Sequence, residues 1–69
     1  MNIEYSLHAM RRMRQRAIID LEVEYVLTHP QRTGALPDER KEVVGFVNHR
    51  FIKVILIEKE NHIKIITVI

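Results

Sequence analysis

The 69-residue sequence has no cysteine and only two glycines and two prolines. Without cysteine there is no disulfide, no thiolate metal site and no cysteine nucleophile. Long apolar runs are also missing. The longest strongly apolar stretch is "VILI", Val54 to Ile57, far short of the roughly 18 residues that span a bilayer. The first ten residues have no basic segment followed by an apolar one, so no secretory signal is expected. These absences predict a cytoplasmic protein with no membrane partner, folded as one domain over residues 1–69. A core of this size is marginal but feasible without staples.

Net charge is scarce as well. The formal total is +2, too small for indiscriminate nucleic-acid binding. Its distribution says more. Residues 1–16 carry four arginines and one glutamate, a local +3, and residues 17–29 carry Asp20, Glu22 and Glu24, a local −3. A basic segment beside an acidic one points to a localised anion site.

What is present divides into helical and extended patterns. "NIEY", Asn2 to Tyr5, reads as a short first strand. Ser6 is an expected N-cap, because its hydroxyl can accept from a free amide of the first turn. A helix is predicted from Leu7 to Arg16, uninterrupted by glycine or proline, with Arg14 and Arg16 near its negative end. A second helix is expected to start on Asp20 as its cap, to bury Val23, Val26 and Leu27, and to stop before Pro30. The segment from Gln31 to Glu42 holds Gly34, Pro37 and a run of charges, and reads as loop with part of an edge strand. From Glu42 onward, Val-, Ile- and Phe-rich runs predict three antiparallel strands. Asn48-His49 supplies a tight hairpin, because Asn tolerates positive φ. The expected fold class is α+β, with two N-terminal helices packed on one face of a curved antiparallel β-sheet.

Face counting adds a partner. In the strand from Phe51 to Ile57, Ile52, Val54 and Leu56 lie on one side and Phe51, Ile55 and Ile57 on the other. In the last strand Ile63, Ile65 and Ile69 are expected on one side, with Thr67 among them, and Ile66 and Val68 on the other. Two helices cover only one face, so a homodimer or a protein partner is expected over the second.

On a helical wheel, Leu7, Ala9, Met10, Met13 and Ala17 form the expected core arc, and His8, Arg12 and Arg16 form a stripe along its border. Arg11 and Arg14 point elsewhere. A neutral imidazole is a usable base, and arginine forks suit phosphate oxygens. His8 with Arg12 and Arg16 is therefore a minimal kit for RNA cleavage: the base takes the 2′-hydroxyl proton while the arginines stabilise charge on phosphorus. The plain alternative is a solvated helix face, and between the two lies anion or nucleic-acid contact without chemistry. Arg50, at the start of a strand, is either a further groove cation or a hairpin-end charge. His29, His49 and His62 have no metal-ligand spacing, so neither a metal nor a cofactor is expected.

The segments "SLHAMRRMRQRAI" and "EVEYVLTHP" resemble an uncharacterised family of small bacterial and archaeal proteins. The resemblance rests on Ser6, His8, Ala9, Arg12, Met13, Arg16 and Ile18, then Glu22, Val23 and Pro30, then Arg50 with Val54 and Thr67 with Val68. That family is similar to the RelE/ParE-type toxins of toxin–antitoxin systems. The resemblance implies a metal-independent endoribonuclease, with ribosome-associated RNA as substrate, an antitoxin protein as partner, and His8, Arg12, Arg16 and Arg50 as its catalytic set. The wider group includes toxins without nuclease activity, so a non-catalytic RNA- or protein-binding module stands beside it. One departure is Ala17, where the family often has glycine to turn the chain after the first helix.

Overall fold

The computed structural model describes residues 2–69. The elements run β1 (Ile3–Tyr5), α1 (Leu7–Arg16), α2 (Asp20–Thr28), β2 (Arg32–Ala35), β3 (Arg40–Val47), β4 (Arg50–Glu58) and β5 (Ile63–Val68). The fold is α+β: two helices and a mixed sheet of five strands in the order β1-β5-β4-β3-β2.

The first helix is set by its ends. Ser6 Oγ accepts from the Ala9 amide at 2.9 Å and donates to the Ile66 carbonyl at 2.8 Å, so the cap also ties α1 to β5. At the other end Ala17 adopts φ 54°, ψ 43°. The Ile18 amide bonds back to the Met13 carbonyl at 2.8 Å and the Ala17 amide to the Arg14 carbonyl at 3.3 Å, a Schellman closure. Met13 and Ile18, the two side chains such a closure brings together, are both buried. The turn thus forms without glycine.

α2 starts differently from expectation. Asp20 is its first helical residue rather than its cap, and its carboxylate accepts from Leu21 at 2.9 Å. Ile19 occupies the cap position and has no side-chain acceptor, so Glu22 serves instead, taking the Ile19 amide at 3.0 Å. The helix ends at Thr28, two residues before Pro30, as expected.

The meander from β2 to β5 is antiparallel, with β2 as an edge strand. The expected all-antiparallel sheet fails at β1, which pairs in parallel with β5, Ile3 opposite Ile63 and Tyr5 opposite Ile65. Parallel neighbours need a long crossover, and here the crossover is almost the whole chain. Asn48 and His49 form the two-residue turn with φ 52° and 67°, which sets Val47 opposite Arg50 and Phe46 opposite Phe51.

α1 packs on β5, and α2 on β3 and β4. The core lies between: Ala9 and Met13 from α1, Val23 and Val26 from α2, and Ile52, Val54, Leu56, Ile65 and Val68 from the sheet. Gly45 lets α2 approach, since a β-carbon there would stand 3.1 Å from the Val26 methyls and 3.2 Å from its Cα. The core stripe of α1 is narrower than the wheel predicts. Leu7 is 67% and Met10 47% exposed, and Ala17 is exposed too, because α1 lies over the β5 side of the sheet and only one line of its residues meets the core.

The face assignment of β5 also needs correction. Ile55 is opposite Thr67 but Leu56 is opposite Ile65, so Ile66 is an extra, bulged residue. The bulge reverses the alternation. Val68 joins Ile65 in the core, while Thr67, paired with Ile55, turns to the side away from the helices. Val44, Phe46, Phe51, Ile55 and Ile69 also lie on that helix-free face. They share it with Arg32, Glu42, Lys53 and Lys64, so it is less uniformly apolar than face counting suggests.

Candidate nucleic-acid interface

The expected stripe exists on α1, and it is more open to solvent than its position on the wheel suggests. His8 and Arg16 are exposed and Arg12 is half-buried. Arg11, Arg12, Arg14 and Arg16 make no ion pair among the described residues. The acidic residues of α2 do not neutralise α1. Glu22 turns inward, and no ion pair of Asp20 or Glu24 is found among the described residues. His8 and Arg16 stand about 12 Å apart along the helix axis, at the 1.5 Å rise of an α-helix.

Arg50 is used elsewhere. Its Nη1 donates to the Arg16 carbonyl at 2.7 Å, and its Nη2 donates to the Ala17 carbonyl at 2.7 Å and to Glu22 Oε1 at 3.1 Å. These are the free carbonyls at the negative end of α1, where a cation is favoured. The structure therefore joins Arg50 to the last turn of α1 and leaves His8 at the first. Arg50 is close to Arg16 through the Arg16 backbone.

Glu22 is the anchor of this cluster and is not among the expected site residues. It is 7% exposed. Its Oε2 accepts from Asn48 Nδ2 at 2.7 Å, and Oε1 takes both Arg50 and the Ile19 amide. These hydrogen bonds, Asn48 first and Ile19 next, hold the carboxyl below the usual glutamate range, with the Arg50 charge helping and burial opposing. The available sequence signal was a glutamate three residues after the last non-helical position, a capping-box spacing. Asn48 was legible as a turn residue only.

A second feature opens on the helix-free face. A groove of about 750 Å³ lies over Val44, with Arg32 and Lys53 on its rim and Phe51 beside it, and Arg16 reaches it from the end of α1. Val44 pairs with Arg32 on one side and Lys53 on the other, and Lys53 pairs with Ile69, so the groove follows a row across β2, β3 and β4 to the residue just after β5. Glu42 partly offsets the charge, 3.5 Å from Lys53 and 4.0 Å from Arg32. Arg16 is thus shared by the helix stripe and the groove.

Residues 5–69 match a protein family described as a domain of unknown function, DUF4258. The chain belongs to the DUF4258 family. No curated protein and no solved structure matches it. The DUF4258 match begins at Tyr5 and so takes in α1, the Arg50–Glu22 cluster and the whole groove.

Two further histidines of this DUF4258 chain have local partners. His29 stacks on Tyr25 with centroids 4.4 Å apart, and its Nδ1 lies 3.0 Å from Thr28 Oγ1. His62 meets Glu4 at 3.0 Å. No group of His, Asp or Glu able to hold a metal occurs among the described residues. No helix among them is long and apolar enough to cross a membrane. The Tyr5 hydroxyl is pushed up to about 12 by burial and then by the charges of Glu24 and Asp20, which makes it a poor proton donor.

Proposed function

We propose that this DUF4258 chain binds RNA through the arginines of α1, with contacts continuing onto the sheet at Arg16. The observation that carries this reading is the run of Arg11, Arg12, Arg14 and Arg16, none in an ion pair among the described residues. Of these, Arg12 and Arg16 share one side of α1, and unpaired arginines contribute counterion release when they meet phosphates. The groove cations extend the same surface past the helix end. Binding without chemistry is favoured over cleavage because Arg50 has its donors committed to Arg16, Ala17 and Glu22.

A second reading is a RelE-type endoribonuclease held in check by an antitoxin protein and acting on ribosome-associated RNA. One feature favours it: His8 is exposed, makes no side-chain hydrogen bond among the described residues, and lies one turn from Arg12. In that reading His8 is the base, Arg12 and Arg16 bind the phosphate, and Arg50 is a positioning residue that fixes the end of α1.

The test is fluorescence anisotropy with a labelled single-stranded RNA across a salt series. The double variant Arg12→Ala, Arg16→Ala should lose tenfold or more in affinity, and the slope of log K against log salt should fall by roughly 1.4, about 0.7 per lost phosphate contact. Unchanged affinity and slope would remove the proposal. Incubation with RNA and ribosomes separates the two readings, because cleavage that disappears in His8→Ala would establish the nuclease and overturn binding alone.

A further inference from the structure

The aromatic residues of the helix-free face have no part in the reading above, and their placement is specific. Phe46 and Phe51 are opposite each other across the β3–β4 hairpin, with centroids 4.9 Å apart and planes at 58°. They are 43% and 64% exposed. Burial of apolar surface would place such side chains inward, and here the two largest apolar rings of the chain stand in solvent. The adjacent row along the same face holds Arg32, Val44 and Lys53, and Arg16 reaches that groove from α1.

We infer that this face is a stacking platform for single-stranded RNA, with an unpaired base on Phe51 and the flanking phosphates on Arg16, Arg32 and Lys53. The inference rests on the RNA-binding reading and names the form of RNA that the surface takes. Aromatic rings offer an apolar plane to a base of any identity, and cations beside them hold the backbone. A duplex keeps its bases stacked on one another and has none free for Phe51. The charges favour this occupant over a second copy of the chain. A symmetric dimer on this face would bring together two copies of a patch that holds Arg32, Lys53 and Lys64, with Glu42, beside Arg32 and Lys53, as the acid of each copy. A strand of phosphates meets three cations and one carboxylate at the groove.

The experiment uses the full chain with a labelled 12-nucleotide oligouridine and a 12-base-pair RNA duplex. Phe51→Leu should weaken oligouridine binding roughly tenfold, within the range for loss of one base–aromatic stack, and leave duplex binding unchanged. Phe51→Trp should restore binding, with its indole fluorescence quenched as the oligonucleotide saturates. Glu42→Gln should tighten binding, since it removes the carboxylate from the groove. If Phe51→Leu binds oligouridine like the native chain while the Arg12, Arg16 double variant does not, the platform is overturned and the RNA-binding reading stands. If the native chain binds neither RNA, both fall. A protein that doubles in mass on light scattering, and reverts to monomer in Phe51→Leu, shows the face covered by a second copy and overturns the platform.

Discussion

Arg50 shows how a single side chain takes a structural role where the sequence suggests a chemical one. Its guanidinium spans two backbone carbonyls and a carboxylate at 2.7–3.1 Å, a task for a planar fork with several donors. Arg50→Lys supplies one nitrogen to three acceptors, and should lower stability by about 1–2 kcal/mol, as expected when the buried Glu22 carboxylate loses part of its pairing. Urea unfolding of the two proteins measures this directly. Glu22 gives the same cluster a pH dependence. Its carboxyl titrates lower in the folded chain than in the unfolded one, so its contribution is complete above the unfolded value of about 4.3 and is lost as pH falls below it toward the folded value. The native melting temperature should fall steeply in that acid range. In Glu22→Gln the fall should be shallower, from a lower starting point at neutral pH. The cluster itself was hard to foresee, because Glu22, Asn48 and Arg50 come from two segments whose approach depends on how α2 sits on the hairpin. Local sequence assigns Glu22 to a helix start and Asn48 to a turn, and both assignments are correct and incomplete.

At the level of elements, ends were more legible than faces. The bounds of α1 follow from Ser6 and the uninterrupted run to Arg16, and the β3–β4 hairpin follows from Asn48-His49. That two-residue turn also fixes the Phe46–Phe51 pair, so the aromatic platform was present in the sequence once the register was counted. A helical wheel overstates the core face of α1 because it assumes a broad contact, whereas α1 rests mainly on β5. Alternation misplaces the β5 faces because a bulge leaves no mark on it, and Ile66 is apolar like Ile65. The turn after α1 gives the prediction that belongs here. Ala17 sits at φ 54°, a region that costs a residue with a β-carbon about 1 kcal/mol relative to glycine. Part of that gain is offset by the freer unfolded chain. Ala17→Gly should therefore raise stability by roughly 0.5 kcal/mol, measured as a higher urea midpoint at constant m-value.

For the molecule as a whole, the α+β class was legible because, β1 apart, the helical patterns precede the extended ones along the chain. The direction of β1 was not, since three residues carry no directional signal and its partner lies sixty residues away. The distribution of charge follows the same division. The basic surface expected on α1 is there, but it does not end with the helix. Arg16 carries it to a sheet face whose cations, Arg32 and Lys53, come from segments read as loop and strand. A surface assembled from three parts of the chain has no contiguous motif, which is why composition marks the basic segment of α1 and not the sheet cations beside it.

The parallel pairing of β1 with β5 also has a mechanical consequence. Because the two strands run in the same direction, tension applied between residue 3 and residue 68 pulls them past each other lengthwise. The hydrogen bonds between them are loaded together in shear rather than opened one after another like a zip. The shortest strand of the sheet thus closes the fold in the geometry that best resists being pulled apart.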